Sequence, residues 1–463
     1  MVNRDLIIDR EAEREALEQA WKRARRKGPE LVVLWGRRRV GKTYLLSHFV
    51  RNKRAVFFGA TEQSEAVELD RLAEAVRRDL GDSAARLLSG GFDSWEAALG
   101  WFSALSEKEP LALVLDEVPY LLRSTPGFAS VVQVVWDHLA RDNKLLLVLT
   151  GSAVGVIERL LGAGGALRGR PTLSLRLDPL DLVRARKFLP RLAAPDMLRA
   201  YAACGGYPLH LEAWDASATW EENLARLAFS PAGLLLADAT GILQEELPAA
   251  GGHSRILAAI GRGRTRFSEI ASDADQRIEA PLDTLVRAGF VDKALPIGAP
   301  KGAKPLYQIG DPYLAFWFSC LYASRTQIDA GQGRAVATRN EGVWQRHLGA
   351  VFEDAARAHA LALVRRGELP KDLLVGRWWS SRGPQCEVDV LGLSGKKTAL
   401  LGEARWQESA LDARDVRQLR AKLDRVPDPV KEPALALWSR KGITGAARRE
   451  GARGYSLTDM LEG

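Results

Sequence analysis

Cysteine is scarce in this chain: Cys204, Cys320 and Cys386 are the three copies in 463 residues, each isolated from the others. Scattered single thiols exclude a disulfide framework and any zinc cluster built from the thiolates of one chain. Histidine is sparse as well, and its six copies are dispersed, with none at metal-ligand spacing from another. No apolar stretch approaches the roughly twenty residues of a bilayer span, so no membrane partner is expected. No apolar signal region follows Met1-Val2-Asn3-Arg4-Asp5, which sets the expectation of a cytoplasmic protein. Internal repeats and low-complexity segments are missing too.

An acidic excess is also lacking. The net charge is +8 and the sequence pI about 9.4, a balance that favours an anionic partner such as DNA or RNA. Arginine-rich runs such as Trp21-Lys22-Arg23-Ala24-Arg25-Arg26-Lys27 fit a solvated helix face equally well. What is present is ordinary globular composition, 46% hydrophobic and 27% charged. The length accommodates about three domains.

The most informative run is Gly36-Arg37-Arg38-Arg39-Val40-Gly41-Lys42-Thr43, between the apolar Leu31-Val32-Val33-Leu34-Trp35 and the helix-forming Tyr44-Leu45-Leu46. Strand, glycine loop and helix arrive in the order a phosphate cradle needs. Gly36 and Gly41 let backbone N–H groups wrap a polyphosphate, Lys42 reaches the β and γ phosphates, and the Thr43 hydroxyl can hold Mg²⁺. Further on, the doubly buried strand pattern Leu111-Ala112-Leu113-Val114-Leu115 ends in Asp116-Glu117. Strand ends of this kind face the ligand crevice of a parallel sheet, where Asp116 can hold Mg²⁺ and Glu117 can polarise an attacking water. The expected activity is hydrolysis. A third strand, Leu145-Leu146-Leu147-Val148-Leu149, ends in Thr150-Gly151-Ser152, whose hydroxyls either contact the γ phosphate or cap the next helix. Arg168 and Arg170 flank Gly169; either can neutralise transition-state charge, in cis or from a neighbouring copy in a homo-oligomer, or remain a loop arginine.

Strands and helices alternate to about residue 178, the pattern of a parallel α/β sheet. Residues 179–250 carry Ala and Leu at helical spacing and read as a helical lid. Over 251–318, three short helical patterns and a glycine before a strand match a winged helix-turn-helix, with Pro300 to Pro305 at the tip of the wing. Arg262, Arg264 and Arg266 near the first turn, and Lys301 and Lys304 on the wing, offer phosphate contacts to DNA; packing or dimerisation is the other use of such a fold. The aromatic run Tyr313 to Phe318 reads as an interdomain core rather than a base-stacking platform. In the last segment, 319–463, period-two strands put Glu387 with Asp389 on one face and Glu403 with Arg405 on one face of a neighbour. Converging carboxylates of this kind suit Mg²⁺ and phosphodiester attack, while alternating surface residues on an exposed sheet give the same pattern.

Together these residues resemble a bacterial and archaeal ATPase family of the AAA-related, signal-transduction-ATPase (STAND) clade, joined to a PD-(D/E)xK nuclease-like domain. The matching pieces are Asp9-Arg10-Glu11, Gly36 to Thr43, Leu115-Asp116-Glu117, Thr150-Gly151-Ser152, Gly169-Arg170, Gly205-Gly206-Tyr207-Pro208 and Asp311-Pro312. The resemblance implies an α/β fold: a P-loop NTPase core with a helical lid, a winged helix and a C-terminal α/β nuclease-like domain. It implies ATP and Mg²⁺ as ligands, Ser152 as γ-phosphate sensor and Arg170 as an arginine finger. It also implies Glu353, Asp389 and Glu403 as a second metal set. ATP is likewise preferred to GTP by resemblance, no Asn-Lys-x-Asp run being evident. Arg405 departs from the lysine of that pattern, and a wide planar guanidinium does not substitute for a compact ammonium. Lys396 or Lys397 from the adjacent loop could supply the ammonium. The expected function is an ATP-hydrolysing switch coupled to a DNA-binding, nuclease-like domain; the alternative is a nucleotide-gated DNA-binding regulator with an inactive nuclease fold.

Overall fold

The computed structural model describes residues 7–88, 90–138, 143–247, 252–299, 302–380 and 386–462. Met1 to Asp5, read above for a signal region, and Lys301, read as a DNA contact, lie outside them. The chain divides into two units, one of Met1–Pro179 with Ile242–Pro248 and one of Leu180–Gly241 with Ala249–Gly463.

In the first unit the apolar runs become five strands: β1 (Glu30–Trp35), β2 (Ala55–Gly59), β3 (Leu111–Asp116), β4 (Leu145–Gly151) and β5 (Leu173–Arg176). Their order is β2-β3-β4-β1-β5 and every pairing is parallel. β3 and β4 are buried along their whole length, as strands covered on both faces must be. Leu31, Val33, Leu113, Leu115 and Leu147 meet Trp95 and Phe102 in one core. Because Trp35 pairs with Gly151 and Leu115 with Leu149, β1, β3 and β4 end side by side. The segments that follow them share one edge of the sheet.

The second unit begins with helices. At Gly206 a Cβ would fall 1.9 Å from the Leu180 carbonyl oxygen, so only glycine lets the chain close there. The aromatic run is buried core, and its hydrogen-bond partners belong to this same unit. Tyr207 donates to Asp311 Oδ2 (2.8 Å), Tyr313 to the Leu235 carbonyl (2.8 Å) and Trp317 Nε1 to the Leu236 carbonyl (3.0 Å). The helices His253–Gly261, Phe267–Ala274 and Glu279–Arg287 precede an antiparallel pair, β6 (Val291–Ala294) and β7 (Leu306–Ile309).

A second five-stranded sheet contains β8 (Leu373–Trp379), β9 (Glu387–Ser394), β10 (Lys397–Arg405), β11 (Pro429–Ser439) and β12 (Ala452–Ser456), in the order β12-β11-β10-β9-β8. β8, β9 and β10 are antiparallel neighbours; β10, β11 and β12 run parallel. The 26-residue helix Glu341–Arg366 packs across β8, β9 and β10.

That helix carries two buried histidines. His347 Nε2 donates to the Ala202 carbonyl (2.8 Å), and His359 Nδ1 accepts from Trp438 Nε1 (3.1 Å). Burial pushes each imidazole down to about 4. An unfolded histidine takes up its proton near pH 6.5, so the unfolded chain binds more protons between about pH 6.5 and 4. Stability is therefore fully present above pH 6.5 and falls as pH drops through that window, by about 3 kcal/mol for His347. Urea unfolding of the full chain at pH 7, 6 and 5 is expected to show this loss, and His347→Gln to flatten it.

Candidate functional site

Past β1 the chain turns at Gly36, where a Cβ would lie 2.0 Å from the Leu177 carbonyl oxygen. The loop ends at Gly41, whose φ of 94° is glycine territory, and the helix Lys42–Val50 starts immediately after it. Lys42 is 5% exposed, and its ammonium donates to the carbonyls of Gly36 (2.8 Å) and Arg37 (3.0 Å). Burial lowers its pKa, with the carboxylates of Glu117, Asp116 and Glu246 pulling the other way.

Thr43 Oγ1 donates to Asp116 Oδ2 at 2.7 Å, which joins the helix start to the end of β3. Burial raises the Asp116 carboxyl, and the Thr43 hydrogen bond opposes that shift. Glu117 adopts a left-handed backbone conformation, φ 57° and ψ 47°, which costs a non-glycine residue about 1 kcal/mol and is a common mark of functional sites. Its carboxylate Oε2 accepts from the Ser152 backbone N–H (3.0 Å) and hydroxyl (2.8 Å) at the end of β4. Lys42, Thr43, Asp116, Glu117 and Ser152 therefore converge as the strand ends required.

The donors suit ATP with Mg²⁺. A buried ammonium and a helix N-terminus match polyphosphate, and the hydroxyl and carboxylate of Thr43 and Asp116 are hard oxygen ligands. Arg170 is not brought to this group: its guanidinium forms a two-pronged pair with Asp137 (2.9 and 2.7 Å) and donates to the Ala166 carbonyl. Sequence reasoning missed Glu246, at the end of the helix Leu234–Glu246, whose Oε2 lies 3.9 Å from Arg37 Nε. Some two hundred residues separate it from the phosphate loop, and no local pattern marks it.

In the second unit, Arg264 and Arg262 both pair with Asp273, and Arg266 lies 4.0 Å from Glu269. The helix Glu279–Arg287 carries Glu279 and Asp283 against a single Arg287, itself paired with Asp283. Lys304 is exposed.

The C-terminal carboxylates also sit close to one another. Asp389 Oδ2 accepts from the Ala404 N–H (3.0 Å), which fixes it beside Glu403. Burial and the neighbouring Glu403 carboxylate push the Asp389 carboxyl above the usual carboxylate range; burial and Asp389 do the same to Glu353, on the long helix. Among the described residues, no three His, Cys, Asp or Glu side chains are grouped to hold a metal ion. Arg405 points to Asp415 (2.6 Å) and Gln418 (3.3 Å), and stands 3.7 Å from Glu403. Neither Lys396 nor Lys397 reaches the cluster: Lys397 opens β10, six positions and about 20 Å of strand before Glu403. The ammonium comes instead from Lys422, which donates to Glu403 Oε2 (2.5 Å) and the Glu387 carbonyl (2.8 Å). Lys422 follows the helix Ala413–Arg420, outside any spacing the strands could reveal.

A five-stranded parallel sheet with this loop, hydroxyl and acidic pair defines the class of P-loop ATPase-like proteins. Residues 7–213 match the family described as an ATPase domain predominantly from Archaea. Residues 317–419 match a family of archaeal and bacterial proteins of unknown function. An uncharacterized protein of Methanocaldococcus jannaschii is 27% identical over 426 residues, covering 89% of this chain and 90% of the relative. An uncharacterized ATP-binding protein of the same organism is 41% identical over 49 residues, 11% of this chain and 78% of that protein. The solved structure of a Walker-type ATPase of Pyrococcus abyssi superposes with a TM-score of 0.51 at 19% identity, covering 67% of this chain and 96% of that one. That last likeness speaks for the fold alone. Among the described residues, no helix is long and apolar enough to cross a membrane.

Proposed function

We propose that this chain is an ATP-hydrolysing switch whose nucleotide state governs a DNA-engaging C-terminal region. The observation that carries the reading is the convergence of Lys42, Thr43, Asp116, Glu117 and Ser152 on one sheet edge. Lys42 exchanges its loop carbonyls for β and γ phosphate oxygens. Thr43 and Asp116 would hold Mg²⁺, which when bound neutralises charge building on the phosphoryl oxygens. Glu117 orients and polarises the attacking water, and Ser152 keeps the Glu117 carboxylate pointed while also sensing the γ phosphate. Arg170 acts as a finger only after leaving Asp137.

The DNA-facing part of the reading is supported by three short helices followed by an antiparallel pair, the order of a winged helix, and by the basic balance of the chain. Contact with phosphate through Arg264 and Arg266 requires exchange of Asp273 and Glu269 for the duplex. A nuclease-like role for Glu353, Asp389 and Glu403 is supported by the charge interaction of Asp389 with Glu403 on the second sheet and with Glu353 on the long helix, and by the Lys422 ammonium on Glu403. Mg²⁺ often takes only one or two protein carboxylates and completes its shell with water and substrate, so a looser acidic set still fits it. The alternative, a nucleotide-gated regulator that binds DNA without cutting it, is favoured by the engagement of Arg405 with Asp415.

Labelled plasmid and linear DNA with Mg²⁺ or Mn²⁺, with and without ATP, separate these readings. Cleavage lost in Asp389→Ala, and slowed about tenfold to 10²-fold in Lys422→Ala, supports the nuclease-like site. Intact DNA beside normal ATP turnover leaves DNA binding alone. No DNA binding at any salt concentration removes the DNA-engaging part of the reading.

A further inference from the structure

The end of the helix Leu234–Glu246 presents a carboxylate to the phosphate loop. The Glu246 side chain is 2% exposed and faces Arg37, whose side chain is 8% exposed, at 3.9 Å. Its negative charge also acts on the Lys42 ammonium. Lys42 and Arg37 are thus set in a field that includes a buried protein carboxylate on the loop where a polyphosphate would lie. Like charges sharing one desolvated focus repel strongly, because the low local polarisability screens them little.

The helix that carries Glu246 is divided between the two units. Residues 234–241 cluster with the second unit and 242–248 with the first. Its first turn is held by Tyr313 and Trp317 through the Leu235 and Leu236 carbonyls, and Asp238 is held by His210 (2.9 Å). A push on Glu246 is therefore a push on a helix whose other end is anchored in aromatic core.

We propose that Glu246 is an internal competitor for the phosphate loop: it pairs with the loop's cationic side chains when nucleotide is absent and withdraws when the phosphates of ATP arrive, moving the end of the helix Leu234–Glu246. This device rests on the ATP-site reading above and adds the element that reports occupancy. A carboxylate that must be expelled lowers nucleotide affinity, and its withdrawal supplies the motion a switch needs.

The experiment is titration of full-length wild type, Glu246→Gln, Glu246→Ala and Lys42→Ala with a fluorescent ATP analogue, with amide hydrogen exchange over 234–246 followed in parallel. Glu246→Gln keeps size and shape and removes only the charge; its thermal midpoint checks folding. The expected result is binding on the order of tenfold tighter in Glu246→Gln than in wild type, with exchange at the end of this helix rising in wild type when nucleotide is added. Unchanged or weaker binding in Glu246→Gln, or exchange that nucleotide leaves unaltered, overturns the proposal. If wild type binds and Lys42→Ala does not while Glu246→Gln matches wild type, the competitor fails and the ATP site stands. If wild type, Lys42→Ala and Glu246→Gln all bind equally or not at all, both fail.

Discussion

Alanine at Lys42 is expected to weaken ATP binding by about 10²-fold or more, because truncating one member of a buried, hydrogen-bonded charge pair is among the costlier single changes. Lys42 is 5% exposed, and its ammonium is held by loop carbonyls. Its loss also leaves the Gly36 and Arg37 carbonyls facing the position of the incoming phosphates. Those oxygens repel an anion that the wild type attracts. Alanine is a good helix former, so the helix Lys42–Val50 should persist. Calorimetric titration measures the affinity, and a second readout is thermal: wild type should gain melting temperature with ATP by mass action, whereas Lys42→Ala should not. Equal affinity in the two proteins would falsify the assignment of Lys42.

Glutamine at Glu117 is expected to leave nucleotide affinity within about threefold and to cut turnover about 10²- to 10⁴-fold, the usual weight of a general base. The side-chain oxygen can still accept from Ser152, so the geometry around the β3 and β4 ends survives. What disappears is the capacity to polarise a water. Single-turnover hydrolysis separates this from slow product release, and turnover equal to wild type would sink the role given to Glu117. Aspartate at the same position is informative too, since its shorter arm keeps the charge but loses the reach to Ser152.

The candidate nucleotide site was legible because its signals are local. A contiguous loop, Gly36 to Thr43, and strands whose apolar runs end in Asp116 or Ser152 are all read within a dozen residues, and parallel pairing then brings the ends together. Glu117 could be named from its place after β3, but not its left-handed backbone or its bond to Ser152, which depend on β4. The residues left Ser152 open between phosphate contact and helix cap, and gave no sign of its bond to the Glu117 carboxylate. Residues brought in from far along the chain stayed hidden. Glu246 ends a helix that looked like any Ala- and Leu-rich segment, and Lys422 follows a helix with no motif around it. Charge pairing was hidden as well: Arg170 and Arg264 read as available cations and Arg405 as a departure from the lysine pattern, and each meets an aspartate that sequence spacing does not place beside it.

The long helix ties the C-terminal sheet to the helical region that precedes it. The helix Glu341–Arg366, about 39 Å long at 1.5 Å per residue, has His347 docked on Ala202 near one end and His359 docked on Trp438 of β11 nearer the other. Cutting before residue 319 would strand the first contact in water and leave a buried imidazole's partner carbonyl without its donor. The structural unit that holds the C-terminal sheet is thus larger than the sheet and takes in the helix that carries Ala202.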